Sequence, residues 1–461
     1  MNRQPIAYEA IALPIELRWH ADRLYQRAKI LGKNVHSGDN EIMRIAMLSY
    51  HTCPLATLGG KDTGGMNVYV RDLTRELGRQ GVGVDVFTRS QDEHVPHVLH
   101  DLGFGNRIVH IPAGPETPLS KEKLAEHIPT FIQGIQKFSE SKQMEYDIIH
   151  SHYWLSGLAG LELRKIWQVP MIQMFHTLAV MKNRVARGDE ESESQLRVQA
   201  EQKLMQKSDR IVAATQAELA QLQWLHRADT KRIRVIPPGV DTTHFYPIPK
   251  DEALEFIGTP AKYCMLLYVG RIEPLKGIDT LFEAMAILKR EGFLDINPLC
   301  LAIIGGDPQV SREEMSSEME RLHSLQESLG IGDLVTFLGR RAQDTLQYYY
   351  SAAEIVVVPS HYESFGMVAL EAMACGTPVI ASETGGLAFL VKHGETGFHV
   401  PAADPNALAN QLKELMMDEI LRARVGKQAA VYAKEFSWSI IADQILNLYT
   451  SVLSSMVDEW A

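Results

Sequence analysis

Short, wholly apolar runs that alternate with amphipathic helices constrain this 461-residue chain more than any other feature. Met43–Ser49, Gly81–Thr88, Tyr146–His150, Pro170–Phe175 and Ile211–Ala214 each read as a strand, with helical stretches between them. A continuous apolar run is a strand covered on both faces, and strand–helix alternation predicts a doubly wound parallel sheet. The pattern halts from Ile236-Pro-Pro-Gly-Val-Asp241 through Pro247-Ile-Pro249, where prolines stop regular structure and stiffen the connection. It restarts at Met265–Gly270 and continues with Leu301–Gly305, Val335–Leu338 and Ile355–Pro359. The fold class expected is therefore α/β, with Rossmann-like doubly wound domains at 43–245 and 246–436 facing a central cleft. Residues 437–461 are helical in pattern and are expected to pack back on the first domain. Residues 1–42 form an extension, in part helical over Leu17–Leu31, and Met43 would itself serve as a start.

Charge and composition narrow the partners. A net charge of −11 argues against nucleic acid, whose phosphates need a basic footprint, and disfavours adsorption to anionic lipid. Cys53, Cys264, Cys300 and Cys375 lie far apart in apolar surroundings, as reduced buried thiols do, and form neither a disulfide framework nor a zinc motif. No apolar run reaches membrane-spanning length, and the N-terminus lacks signal-peptide order, so a cytoplasmic enzyme without stable membrane insertion is expected. A homodimer is left open.

Chemistry concentrates where the strands end. Glu363-Ser-Phe-Gly-Met-Val-Ala-Leu-Glu371 sets two carboxylates around a small apolar turn of helix, just after the buried run Ile355–Pro359. Open α/β sheets bind ligands there, and carboxylates accept paired hydrogen bonds from vicinal hydroxyls. A nucleotide sugar, with a ribose at one end and a hexose at the other, suits the pair. Arg271 and Lys276 follow another buried strand, where two cations can neutralise a departing diphosphate. Gly64 and Gly65 precede the helix Met66–Gln80, so bare N–H groups and the positive helix end can approach phosphate. Each feature alone has a commoner meaning: a solvated helix face, a surface cation pair, a turn.

Jointly these segments carry a resemblance. Asp62–Val70, His150–Gly157, His176–Ala179, Gly270–Gly277 and the paired-Glu segment are similar to the retaining glycosyltransferases of family 4, which have the GT-B fold. The resemblance runs from Met43 to the end and leaves out residues 1–42. The branch acting on inositol phosphate is most similar, with sucrose-phosphate synthases next. It implies transfer of a hexose or N-acetylhexosamine from a UDP-sugar to a phosphorylated polyol or sugar, with inositol phosphate ahead of fructose 6-phosphate. Met66 favours the former, since sucrose-phosphate synthases typically carry glutamine there.

The resemblance assigns Glu371 to the donor ribose and Glu363 to the transferred sugar. Backbone along Ser364, Phe365, Gly366, Met367 and Val368 is assigned to sugar and phosphate. Arg271 and Lys276, with Gly64 and Gly65, would hold the diphosphate, and the backbone of Arg341 would read uracil. An anionic acceptor would meet Met66, Asn67, Lys121, Tyr153, Thr177 and Arg197, two cations and two hydroxyls among them suiting a phosphate monoester. His176 would lend its backbone carbonyl to the anomeric carbon, so His176, Arg271, Lys276 and Glu363 are the catalytic set. Front-face attack, with the leaving phosphate taking the acceptor proton, needs no carboxylate nucleophile. Neither a metal nor another cofactor is expected, because His51, His150 and His152 are read as lying on different strand ends without ligand spacing. A UDP-sugar epimerase, a transferase to a lipid acceptor and a binding module without catalysis remain the alternatives.

Overall fold

The computed structural model describes residues 42–57, 63–188, 191–260, 264–296, 298–306 and 315–460. The expected helix at Leu17–Leu31, and Asp62 at the start of the segment Asp62–Val70, lie outside them.

Two sheets carry the chain. The first has eight strands: β1 Arg44–Leu48, β2 Gly83–Arg89, β3 Val98–Leu99, β4 Arg107–Ile111, β5 Ile148–His152, β6 Met171–Met174, β7 Arg210–Ala213 and β8 Ile233–Val235. Their order is β3-β4-β2-β1-β5-β6-β7-β8, parallel except for the β3–β4 pair. The second holds β9 Cys264–Val269, β10 Leu299–Ile304, β11 Val335–Gly339, β12 Ile355–Val358, β13 Val379–Ser382 and β14 Gly397–Val400. It is parallel throughout, in the order β11-β10-β9-β12-β13-β14. Winding reverses between β1 and β5 in one sheet and between β9 and β12 in the other, which opens a crevice beyond the strand ends of each.

Burial explains why the strands are apolar throughout. In β12, Ile355 and Val357 enter one core while Val356 and Val358 enter another on the opposite face. In β9, Leu266 and Tyr268 take the first of these faces and Met265 and Leu267 the second. The first sheet repeats this, with Ala46 and Leu48 on one side and Ile45 and Met47 on the other.

The helix Trp438–Trp460 crosses back to the first sheet. Ile441, Ile445, Leu448, Tyr449 and Val452 form its buried stripe, spaced as one helical face. Gln80 Nε2 donates to Asp443 Oδ1 (2.8 Å), and Tyr449 Oη reaches His150 Nδ1 (2.8 Å) inside the sheet. The two chain crossings between the sheets run side by side, with Val240 N–H donating to Phe436 O (2.8 Å). Gly239 sits under Trp438, where a Cβ would stand 2.6 Å from the indole. Arg187 from the first half also meets Asp279 from the second (2.6 Å). Among the described residues no helix is long and apolar enough to cross a membrane.

Tyr449→Phe removes a partner from a fully buried ring nitrogen. Loss of about 1–3 kcal/mol is expected, read as a lower urea midpoint for the first half. A wild-type midpoint would show that the returning helix is not fastened through this contact.

Candidate active site

A cavity of about 300 Å³ lies between the two sheets, and every candidate residue named from the sequence lines it. On the side of the second sheet, β9 leads into the turn Pro274–Lys276, and Lys276 Nζ bonds Glu363 Oε2 (2.6 Å). Arg271 pairs with Glu273 (2.7 Å), and Tyr268 Oη donates to the Arg271 carbonyl (2.9 Å), fixing the backbone beside it. The loops after β9 and β12 are stitched together: His361 N–H donates to Leu275 O (2.9 Å). Gly277, at φ +67, lies so close to Pro359 that a Cβ would be 2.1 Å from its carbonyl oxygen. Only glycine meets both demands.

The loop continues into the helix Met367–Ala374, with Gly366 at its N-terminal boundary. Behind Glu363, Ser364 and Phe365 the chain at Gly386 packs backbone to backbone, and its N–H donates to Glu363 O (2.8 Å). Glu371 projects from this helix and accepts from Tyr350 Oη (2.8 Å). Burial pushes its carboxyl up to about 7, against that hydrogen bond, which pulls it down. Met367 and Val368 line the wall beside it, and the Met367 sulfur would lie 3.1 Å from a Cβ at Gly65. Two helix N-termini, those of Gly65–Arg79 and Met367–Ala374, thus meet across the cavity. The Gly64 N–H is already given to Asn67 Oδ1 (2.9 Å). The side chain of Arg341 donates from Nε to Tyr349 Oη (2.9 Å).

On the side of the first sheet, Tyr153 opens the helix Tyr153–Trp167 directly after β5. Its ring lies under the Arg197 guanidinium (4.7 Å) and the Lys121 ammonium (5.7 Å). Arg197 is only 1% exposed. It bonds Glu201 through Nε (2.7 Å), Glu193 through one terminal nitrogen (2.8 Å), and the Thr177 carbonyl and hydroxyl through the other (2.8 and 3.0 Å). Asn67 gives its amide hydrogens to Thr52 Oγ1 and Cys53 O (2.8 Å each) and so holds the loop after β1. Met66 packs against the apolar clusters on both faces of the first sheet.

The histidines depart from the sequence reading. His150 and His152 share β5 rather than separate strand ends, with ring centroids 4.4 Å apart, and His152 Nδ1 meets His176 Nε2 (2.9 Å). Two residues on from the first, a side chain returns to the same face of a strand, which is why the rings lie in contact, tilted by 37°. Burial holds all three neutral, with His150 and His176 pushed down to about 3 and His152 well below its usual range. Among the described residues no group of three or more His, Cys, Asp or Glu is arranged to hold a metal ion. His176 and Tyr153 both have left-handed backbone, at φ +61 and +74, and both line the cavity.

Sequence reasoning missed Lys182, Glu193 and Tyr350. Lys182 bonds Glu193, which in turn bonds Arg197. The signal was present: glutamates stand four residues before and after Arg197, a helical ion-pair spacing.

Comparison with known proteins agrees with this geometry. Residues 63–244 match the model "Glycosyltransferase Family 4", and residues 249–431 match "Glycosyl transferases group 1". A D-inositol 3-phosphate glycosyltransferase of Corynebacterium jeikeium is 41% identical over 88% of this chain and 96% of its own. One from Acidothermus cellulolyticus is 40% identical over 89% and 91%. Among solved structures, a sucrose-phosphate synthase from Thermosynechococcus elongatus superposes with TM-score 0.81 at 36% identity, over 90% of this chain and all of that one. The chain belongs to family 4 of the glycosyltransferases and is a transferase of the GT-B fold.

Proposed function

We propose that this glycosyltransferase moves a hexose or N-acetylhexosamine from a UDP-sugar to inositol phosphate with retention of configuration. One observation carries the reading: a single cavity has Arg271 and Lys276 on one side and Lys121 and Arg197 on the other. An epimerase acting on the donor alone needs the first pair only. A transferase to a phosphorylated acceptor needs both.

In this reading residues 246–436 serve the donor and residues 43–245 the acceptor. Glu371 takes the ribose hydroxyls and Glu363 those of the transferred sugar, with the backbone from Ser364 to Val368 alongside. Arg271, Lys276 and the helix end at Gly64 and Gly65 face the diphosphate, and the Arg341 backbone meets uracil. As the anomeric carbon–oxygen bond breaks, its electron pair goes to the β-phosphate oxygen, whose new charge the two cations stabilise. The acceptor hydroxyl bonds to the same face of the anomeric carbon and passes its proton to that oxygen. The His176 carbonyl, turned by its left-handed backbone, faces the positive charge at that carbon. Lys121, Tyr153, Thr177 and Arg197 hold the acceptor phosphate, with Met66 and Asn67 shaping the wall. No step in this scheme calls on a metal or a redox group. A cytoplasmic setting, where UDP-sugars and sugar phosphates are dissolved, fits these substrates.

The names of the relatives at about 40% identity support inositol phosphate as acceptor. Fructose 6-phosphate is the second reading, favoured by the sucrose-phosphate synthase structure. Offering UDP-glucose and UDP-N-acetylglucosamine with each acceptor, and reading products by mass spectrometry, separates them. Inositol phosphate glycoside is the expected product; turnover with fructose 6-phosphate alone would replace the first reading by the second.

Lys276→Ala is expected to lower kcat/KM on the order of 10²–10³-fold, as loss of one charge-stabilising donor does, with the melting temperature kept within a few degrees. Near-normal turnover would remove Lys276 from the catalytic set. Lys121→Ala tests the acceptor wall better than Arg197→Ala, which would strand the fully buried Glu201 without its partner. A higher KM for the phosphorylated acceptor, with UDP-sugar hydrolysis intact, is the expected result.

Donor binding should follow the Glu371 carboxyl. Below about 7 it carries a proton and loses acceptor capacity toward the ribose; above, both oxygens accept. The diphosphate of a UDP-sugar is esterified at both ends and does not titrate here. Affinity is therefore expected to be about tenfold tighter at pH 8 than at pH 6, and Glu371→Gln to flatten the profile. A flat wild-type profile by calorimetry would contradict the assignment.

A further inference from the structure

Present partners engage four of the five N–H donors of Arg197 and both of its terminal nitrogens, so Glu193 competes directly with any further anion there. The Arg197 Nε is bound to Glu201, which is fully buried, and one terminal nitrogen is held by two oxygens of Thr177. The remaining terminal nitrogen bonds Glu193 (2.8 Å), and the same Glu193 oxygen also takes the ammonium of Lys182. Glu193 stays ionised, its carboxyl drawn down to about 2 by the two cations against the opposing effect of burial. Its main chain is tied to the preceding helix by Asn183, whose side-chain oxygen accepts from the Glu193 N–H (2.6 Å), so the carboxylate can swing away without moving the loop's anchor. Unlike Glu201, Glu193 retains some exposure, 14% for its side chain.

We propose that Glu193 is a built-in stand-in for the acceptor's phosphate: its carboxylate occupies the Lys182–Arg197 anion position, and a phosphorylated acceptor binds by displacing it. Lys182 thereby becomes a further residue of the acceptor site. The charge balance fits. Lys121, Lys182 and Arg197 against Glu193 and Glu201 leave one net positive charge; with Glu193 swung out, the balance is two. A phosphate monoester carries about −1.5 to −2 at neutral pH, so it replaces the carboxylate with closer neutralisation, and its three oxygens can bridge separated cations. An unphosphorylated polyol has no charge with which to displace Glu193 and meets a closed position. The device therefore selects for phosphate by competition as well as by attraction.

This inference rests on the proposed acceptor class, and the experiment separates the two. KM is measured for inositol phosphate and for inositol in the wild type, Glu193→Gln and Glu193→Asp, with inorganic phosphate as a competing inhibitor. Removing the competitor raises the fraction of protein ready to bind, so Glu193→Gln is expected to lower the KM for inositol phosphate roughly tenfold, and the inhibition constant of inorganic phosphate in step. Glu193→Asp, with a shorter reach to both cations, should shift both in the same direction by less, and it serves if the glutamine variant fails to fold. Lys182→Ala should raise the KM for inositol phosphate. If the wild type prefers inositol phosphate yet neither Glu193 variant lowers its KM, the displacement idea is overturned and the acceptor class stands. If the wild type treats inositol and inositol phosphate alike, the acceptor class itself falls.

Discussion

A cation drawn out of water needs a counter-charge, and the cleft between the two sheets is organised around that need. Lys276 rests on Glu363, Arg271 on Glu273, Lys182 on Glu193, and Arg197 on both Glu193 and Glu201. The pairing lets a chain of net charge −11 keep a set of basic groups converged on one cavity. It also makes the site conditional. Each carboxylate competes with a phosphate for its cation, and for Glu363 the alternative partner is a sugar hydroxyl in the proposed donor geometry.

Much of this was readable from the residues. Strands apolar on both faces, such as Ile355–Val358 and Cys264–Val269, announce a parallel sheet because short β-branched and aliphatic runs recur between amphipathic helices. The positions of Arg271, Lys276 and Glu363 followed, since loops at the ends of such strands have one place to go. Less legible were β4 and β14, Arg-Ile-Val-His-Ile and Gly-Phe-His-Val, where a charged, polar or glycine residue interrupts the run near one sheet edge. The ion-pair network was hidden for another reason. Helical spacing ties Arg197 to its glutamates, but Lys182 stands 11 residues from Glu193, a separation that matches no helical or strand period.

Histidine spacing misled the sequence reading for a plain geometric cause. His150 and His152 flank a serine, which looks like the end of one element and the start of another, yet β5 runs through both and helix begins only at Tyr153. The switch from strand to helix within one residue is achieved by left-handed backbone at Tyr153, and His176 takes the same backbone conformation in the loop after β6. Histidine enters that region more readily than most residues, whereas a bulky tyrosine does so rarely. Surrounding packing must impose it, through the Arg197 guanidinium on one ring and His152 on the other.

The chain crosses between its two lobes twice, and the crossings are hydrogen-bonded to each other at Val240 and Phe436, with Trp438 seated on Gly239. Such an arrangement has the mechanics of a door hung on a single pin. Swinging the lobes about that line would leave those contacts in place, and displacement grows with distance from it. Arg187 and Asp279 tie one lobe to the other by a contact separate from those crossings, so a single ion pair there bears on how wide the mouth stands.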